Sequence, residues 1–134
     1  MGNNIIKKIN FQDMQYCVNN TDYAIINTFK SNDNCVIKNT INIKDETELL
    51  NKYLSNDINK KIIIYGMNSN DNTIIKKYNQ LISLGFKNVY LYTGGLFEWL
   101  LLQEIYGSDE FETNNYEIDF LKYKGSMLFT RNNL

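Results

Sequence analysis

The run Lys61-Ile62-Ile63-Ile64-Tyr65 stops abruptly at Gly66-Met67-Asn68-Ser69-Asn70-Asp71-Asn72, and an apolar-periodic segment over residues 73–84 follows at once. A β-branched run, a loop of small and polar residues and then helical spacing predict a buried strand, a tight turn and a helix N-terminus. In α/β proteins ligands bind beyond the carboxyl ends of parallel strands, so residues 66–72 are the first candidate site. That loop contains no cysteine, histidine or arginine. It therefore lacks the usual nucleophile, the usual base and the usual anion clamp.

The flanking chain repeats the strand-then-helix alternation. Residues 5–10 read as an edge strand, 11–18 as a short helix and 19–22 as a turn. Tyr23-Ala24-Ile25-Ile26-Asn27 reads as a buried parallel strand. After the polar loop 31–34, another strand is expected around Thr40 to Ile43, followed by a helix opened by Lys44-Asp45-Glu46. In 73–84, Ile74, Ile75, Tyr78, Leu81, Ile82 and Leu84 keep helical spacing, and Gly85 ends the helix. Val89-Tyr90-Leu91-Tyr92 is the last core strand, and Thr93-Gly94-Gly95 turns into an apolar helix over 96–106 containing Trp99. The expected architecture is α/β, a three-layer α/β/α arrangement with a mostly parallel sheet covered on both faces. At 134 residues the chain reads as one domain, core 5–106, burying roughly two thirds of its unfolded surface.

Composition narrows the chemistry further. A net charge of −1 supplies no basic field for nucleic acid or an anionic membrane. No apolar run has the length of a membrane span and no N-terminal apolar region suggests secretion, so an intracellular, cytoplasmic setting is expected. Heavy use of Asn, Ile and Lys fits an AT-rich coding genome, such as that of a parasite or a large DNA virus, and hence the host cytosol or a viral particle. Met1-Gly2-Asn3-Asn4-Ile5-Ile6 hints at N-myristoylation of Gly2, although Ile6 stands where Ser or Thr is wanted. Histidine is absent, and Arg131 is the only arginine. Asp13, Asp22, Asp33, Asp45 and Asp71 are scattered without metal-ligand spacing, and no metal or cofactor is expected.

From Tyr23 to Trp99 the chain resembles the rhodanese-like domain family. The matching residues are Ala24-Ile25-Ile26-Asn27; Ile37 with Asn39-Thr40-Ile41-Asn42-Ile43; and Ile62-Ile63-Ile64-Tyr65. Leu84-Gly85-Phe86, Asn88-Val89-Tyr90-Leu91, Gly94-Gly95 and Trp99 complete the set. The resemblance implies a sheet of about five parallel strands between helices. In active members the residue after the strand tyrosine is a cysteine that carries a persulfide, faced by backbone N–H groups and usually an arginine. Here the cysteine position is Gly66, and the loop-arginine position is Asp71. The family's usual second-strand Asp falls on Asn27 and its nearby Arg on Phe29. Nucleophile and positive potential are lost together, so the resemblance implies the scaffold without sulfurtransferase activity.

The expected function is a catalytically inactive, protein-binding or structural module. Its protein partner is not identified by sequence, and no residue is assigned a catalytic role. Two alternatives are an enzyme with altered chemistry, transferring sulfur through Cys35, and a small-molecule sensor at the 66–72 loop. Gly66 serves either a tight turn or a new loop shape. Asp71 and Asn72 serve either as N-caps of the next helix or as a polar ligand-contacting rim. Cys17, on an apolar helix face, is expected in the core. The extension 107–134 carries Phe111, Tyr116, Ile118, Phe120, Leu121, Met127, Leu128 and Phe129. It is expected to pack over the helix of Trp99 and Leu100-Leu101-Leu102, or on a second copy in a homo-oligomer.

Overall fold

The computed structural model describes residues 5–129. The proposed acylation site Gly2 and the single arginine, Arg131, lie outside them. Four strands, β1 (Lys7–Ile9), β2 (Tyr23–Asn27), β3 (Lys61–Tyr65) and β4 (Val89–Tyr92), form one parallel sheet in the order β1-β4-β3-β2. Four helices alternate with them: α1 (Phe11–Val18), α2 (Ile43–Asn56), α3 (Thr73–Leu84) and α4 (Gly95–Tyr106). A 3-10 turn over Phe120–Tyr123 follows in the extension.

Strand periodicity divides the core into two halves. Ile63 and Tyr65 point to one face of β3, into a cluster with Met14 and Cys17 of α1 and Leu96 and Trp99 of α4. Ile62 and Ile64 point to the other face, into a cluster with Leu50 of α2 and Ile74, Tyr78 and Leu81 of α3. All four β3 side chains from Ile62 to Tyr65 are fully buried, which explains why this run is continuously apolar rather than alternating. Burying each isoleucine is worth about 1.5–3 kcal/mol, so β3 is the energetic centre of the fold. Glu46 of α2 pairs with Lys77 of α3, joining the two helices on that face.

The strand expected around Thr40 to Ile43 is reduced to one parallel bridge between Thr40 and Ile25, and the sheet has four strands rather than about five. The cause is local. Asn39 takes a left-handed conformation (φ +67°), and Asn42 already caps α2 by accepting the Lys44 N–H at 3.1 Å. Only Thr40 and Ile41 are left to pair, and the Ile41 N–H donates to Ile25 O at 2.8 Å. Cys17 is buried in the core, and burial pushes its thiol up to about 11.

The extension meets the body through Phe111 and Phe120, which its apolar pattern named, and through Tyr123, which that pattern did not. Phe111 is buried with its ring 5.0 Å from Trp99, and Tyr123 is buried as well. Phe120 packs on Phe97 of α4. Leu121, Met127, Leu128 and Phe129, expected to cover α4, are more than half exposed.

Candidate functional site

Sheet register decides where the site forms. Asn27, Tyr65 and Tyr92, the last residues of β2, β3 and β4, lie side by side. The chain therefore leaves all three strands at one edge, and the loop after β3 sits between its neighbours. The start of α4 fixes this loop. Leu96 N–H donates to Gly66 O at 3.0 Å and Phe97 N–H to Met67 O at 2.8 Å. These are N–H groups that a helix N-terminus leaves without intrahelical partners. Gly95 makes the approach possible: its φ is +72°, and a Cβ there would lie 2.8 Å from Asn68 N and 2.9 Å from Gly66 O.

Asp71 folds back across the loop. Its Oδ2 accepts the Met67 N–H at 2.9 Å; its Oδ1 accepts the Thr73 N–H at 3.0 Å and the Thr73 hydroxyl at 2.6 Å. Burial opposes its ionisation, but the Met67 N–H and the two Thr73 donors outweigh it, holding the carboxyl below its usual range. The carboxylate occupies the space beside Gly66. A Cβ at position 66 would lie 2.5 Å from Asp71 Oδ2, 2.9 Å from its Cγ and 3.1 Å from Ile74 Cγ2. Gly66 and Asp71 are thus sterically matched.

Asp71 is the side chain that serves the start of α3. Asn72, expected to share that role, stands at the N-cap position in helical backbone (φ −77°, ψ −8°) and makes no capping bond. Asn68 ties the loop together: its Oδ1 accepts the Asn70 N–H at 2.9 Å and its carbonyl accepts the Asp71 N–H at 3.2 Å. Ser69 and Asn70 are exposed, and Met67 is half-buried.

In front of the loop lies a cleft of about 520 Å³. Phe29 and Met67 give it an apolar wall; Thr28, Ser31, Asn34, Asn68, Asn70, Asp71, Thr73 and Ser126 give it a polar rim, and Lys30 is the lining cation. Among the described residues, no three His, Cys, Asp or Glu side chains gather so as to hold a metal ion. Among the same residues, no helix is long and apolar enough to cross a membrane.

The extension also reaches this cleft, which the sequence pattern did not reveal. Tyr123 stacks on Phe29 with ring centroids 6.3 Å apart, and Phe29 meets Tyr65 edge-on at 5.8 Å. Tyr123 O accepts from Asn68 Nδ2 at 2.9 Å, and a Cβ on Gly125 would lie 2.9 Å from Asn70 Nδ2. Cys35 is close to this arm but closed off. Its N–H donates to the Tyr123 hydroxyl at 3.3 Å, its Sγ donates to Asn115 O at 3.2 Å, and burial pushes its thiol up. Beneath them the Tyr65 hydroxyl accepts the Ile37 N–H at 3.1 Å and lies 2.7 Å from Thr40 Oγ1.

The sequence profile of the rhodanese-like domain family matches residues 14–102. Among curated proteins none matches the sequence. Solved structures of other proteins share the fold, three of them as follows. A protein from Lactobacillus plantarum superposes with a TM-score of 0.58 at 19% identity, covering 72% of this chain and 83% of its own. A single-domain sulfurtransferase of Saccharomyces cerevisiae gives 0.56 at 16% identity, covering 75% and 94%. A protein from Anabaena sp. gives 0.57 at 20% identity, covering 85% and 97%. With the four-stranded parallel sheet, the loop after β3 and a profile match over most of its length, this chain belongs to the rhodanese-like domain family.

Proposed function

We propose that this protein is a catalytically inactive rhodanese-like module that acts by binding another protein, with no sulfurtransferase activity of its own. The observation that carries the reading is the pairing of Gly66 with Asp71. The position that the family resemblance gives to the persulfide cysteine has no side chain, and a carboxylate oxygen lies 2.5 Å from where a Cβ would stand. Persulfide chemistry needs a thiolate and positive potential around it. The loop offers a carboxylate held in its ionised form by three donors. Where the resemblance places a nearby arginine, Phe29 stacks on Tyr123.

The alternative of sulfur transfer through Cys35 is weakened by geometry. That thiol is buried, donates to Asn115 O and is pushed up by burial, which are the attributes of an inert structural cysteine. The reading as a small-molecule sensor is favoured by one observation, the cleft of about 520 Å³ in front of the loop. Against an anionic ligand there, Asp71 already occupies the Met67 and Thr73 N–H groups. The deciding experiment is transfer of sulfur from thiosulfate or a mercaptoacid to cyanide, with wild type, Cys35→Ser and Cys17→Ser. No cysteine-dependent turnover above background is expected. Turnover that Cys35→Ser abolishes would replace this reading with the enzymatic one.

A further inference from the structure

The extension is attached at two places with a weak stretch between them. The first attachment is firm: Trp99 Nε1 donates to Glu112 O at 3.0 Å, Gln103 Nε2 to Phe111 O at 2.7 Å, and the Lys38 N–H to Glu112 O at 3.1 Å. The second lies over the loop, where Phe120 packs on Phe97, Tyr123 stacks on Phe29, and Tyr123 O takes the Asn68 amide. Between them, Tyr116 and Ile118 are 69% and 79% exposed. The polar contacts found there are local: Glu117 pairs with Lys122 at 2.6 Å and accepts the Asp119 N–H at 3.2 Å. Residues 116–119 therefore form a largely exposed hinge whose polar contacts stay within residues 117–122.

We propose that the Phe120–Tyr123 turn is an exchangeable arm. The socket made by Phe29, Phe97 and Asn68 takes this turn from its own chain in the monomer and from a second copy in an arm-exchanged dimer. Both states make the same socket contacts, so hinge strain and the effective concentration of the tethered arm, on the order of millimolar, set the balance. A four-residue hinge spans at most about 14 Å, which brings the two bodies into contact when arms are exchanged. Leu121, Met127 and Leu128 ride on the same arm at 54%, 64% and 83% exposure, and the second body supplies a surface for them. Because Ser126 lines the cleft before the loop, exchange builds that cleft from two copies. This goes beyond the inactive-module reading and holds whether or not the loop is catalytic.

Shortening the hinge tests it. Deleting Glu117, Ile118 and Asp119 from the full chain prevents the arm from reaching its own socket, and the protein is expected to become a dimer in light scattering and native mass spectrometry. Adding Tyr123→Ala to the shortened chain should return it to monomer. A shortened chain that stays monomeric, or a dimer indifferent to Tyr123→Ala, overturns the proposal. If the shortened chain does not melt cooperatively, the full-length Phe120→Ala/Tyr123→Ala variant decides instead, using a fluorescent peptide of residues 119–127. Its emptied socket should bind the peptide at least about tenfold more tightly than wild type, whose own arm competes. Equal binding by the two proteins, or none by the variant, overturns the proposal too.

Discussion

Placing a cysteine at position 66, just after β3, separates sterics from charge in this loop. In Gly66→Cys the new Cβ arrives 2.5 Å from Asp71 Oδ2, so the carboxylate must retreat by about 0.9 Å to reach the 3.4 Å of ordinary contact. That retreat breaks the 2.9 Å bond from the Met67 N–H. Overpacking of this kind costs about 1–3 kcal/mol, and a hydrogen bond to a charged group about 1.5–3 kcal/mol when no water replaces it. The loop is half open to solvent, so the lower end applies: a loss of about 2 kcal/mol, or roughly 6–10 °C in Tm. The charge effect is distinct. A thiolate about 5 Å from a carboxylate loses about 3 kcal/mol at an effective dielectric of ~20, which solvent screening reduces to about one pK unit above the usual 8.5. Asp71→Asn keeps the shape and removes the charge, whereas Asp71→Arg reverses it.

The assay is the pH dependence of alkylation at the introduced thiol, in a Cys17→Ser/Cys35→Ser background, with persulfide formation from thiosulfate followed by mass spectrometry. The thiol in Gly66→Cys alone is expected above the ordinary value, in Gly66→Cys/Asp71→Asn near it, and in Gly66→Cys/Asp71→Arg below it. Persulfide yield should rise in the same order, while the single variant and the Asn double variant share the loss of stability. Equal thiol pKa and equal yield in all three would show that Asp71 does not control the electrostatics of this loop.

Three further outcomes follow from the same geometry. Asn68→Ala removes the bonds to Asn70 and Tyr123 and should cost about 1–2 kcal/mol in urea unfolding, whereas Met67→Ala, lacking such bonds, should stay within about 1 kcal/mol. Tyr65→Phe strips the partner from the buried Ile37 N–H, and a destabilisation of about 1–3 kcal/mol is expected; a change under 0.5 kcal/mol would contradict the buried-donor argument. Asp71 has a depressed carboxyl in the folded protein. Its contribution is therefore full above the unfolded value near 3.9 and is lost as pH falls through the folded value, so the stability gap between wild type and Asp71→Asn should close below about pH 4.

The parts of this structure legible from sequence are those fixed by local pattern. The runs Ile62-Ile63-Ile64-Tyr65 and Tyr23-Ala24-Ile25-Ile26-Asn27 could only be buried strands, and Gly85 ends α3 in a left-handed conformation (φ +115°). The strand expected near Thr40 shrinks to one bridge because Asn42 caps α2, which starts one residue before Lys44. In the loop, Asp71 and Asn72 are equivalent by propensity. Asp71 is the residue used because its carboxylate also reaches the Met67 N–H, four residues back, across Gly66.

The arm was illegible for a different reason. Hydrophobicity alone ranks Leu128 and Phe129 above Tyr123, yet the former are exposed and Tyr123 is buried. What selects Tyr123 is a partner set spread over the chain: the ring of Phe29, the N–H of Cys35 and the amide of Asn68. Asn68 is the joint between the two systems, since its side-chain N–H binds the arm while its carbonyl receives the N–H of Asp71. A departing arm therefore removes one of the restraints on Asn68, the Asn68 Nδ2 bond to Tyr123 O. Loop and arm are thus joined by hydrogen bonds through Asn68, which the loop's own Asn70 N–H and Asp71 N–H also use.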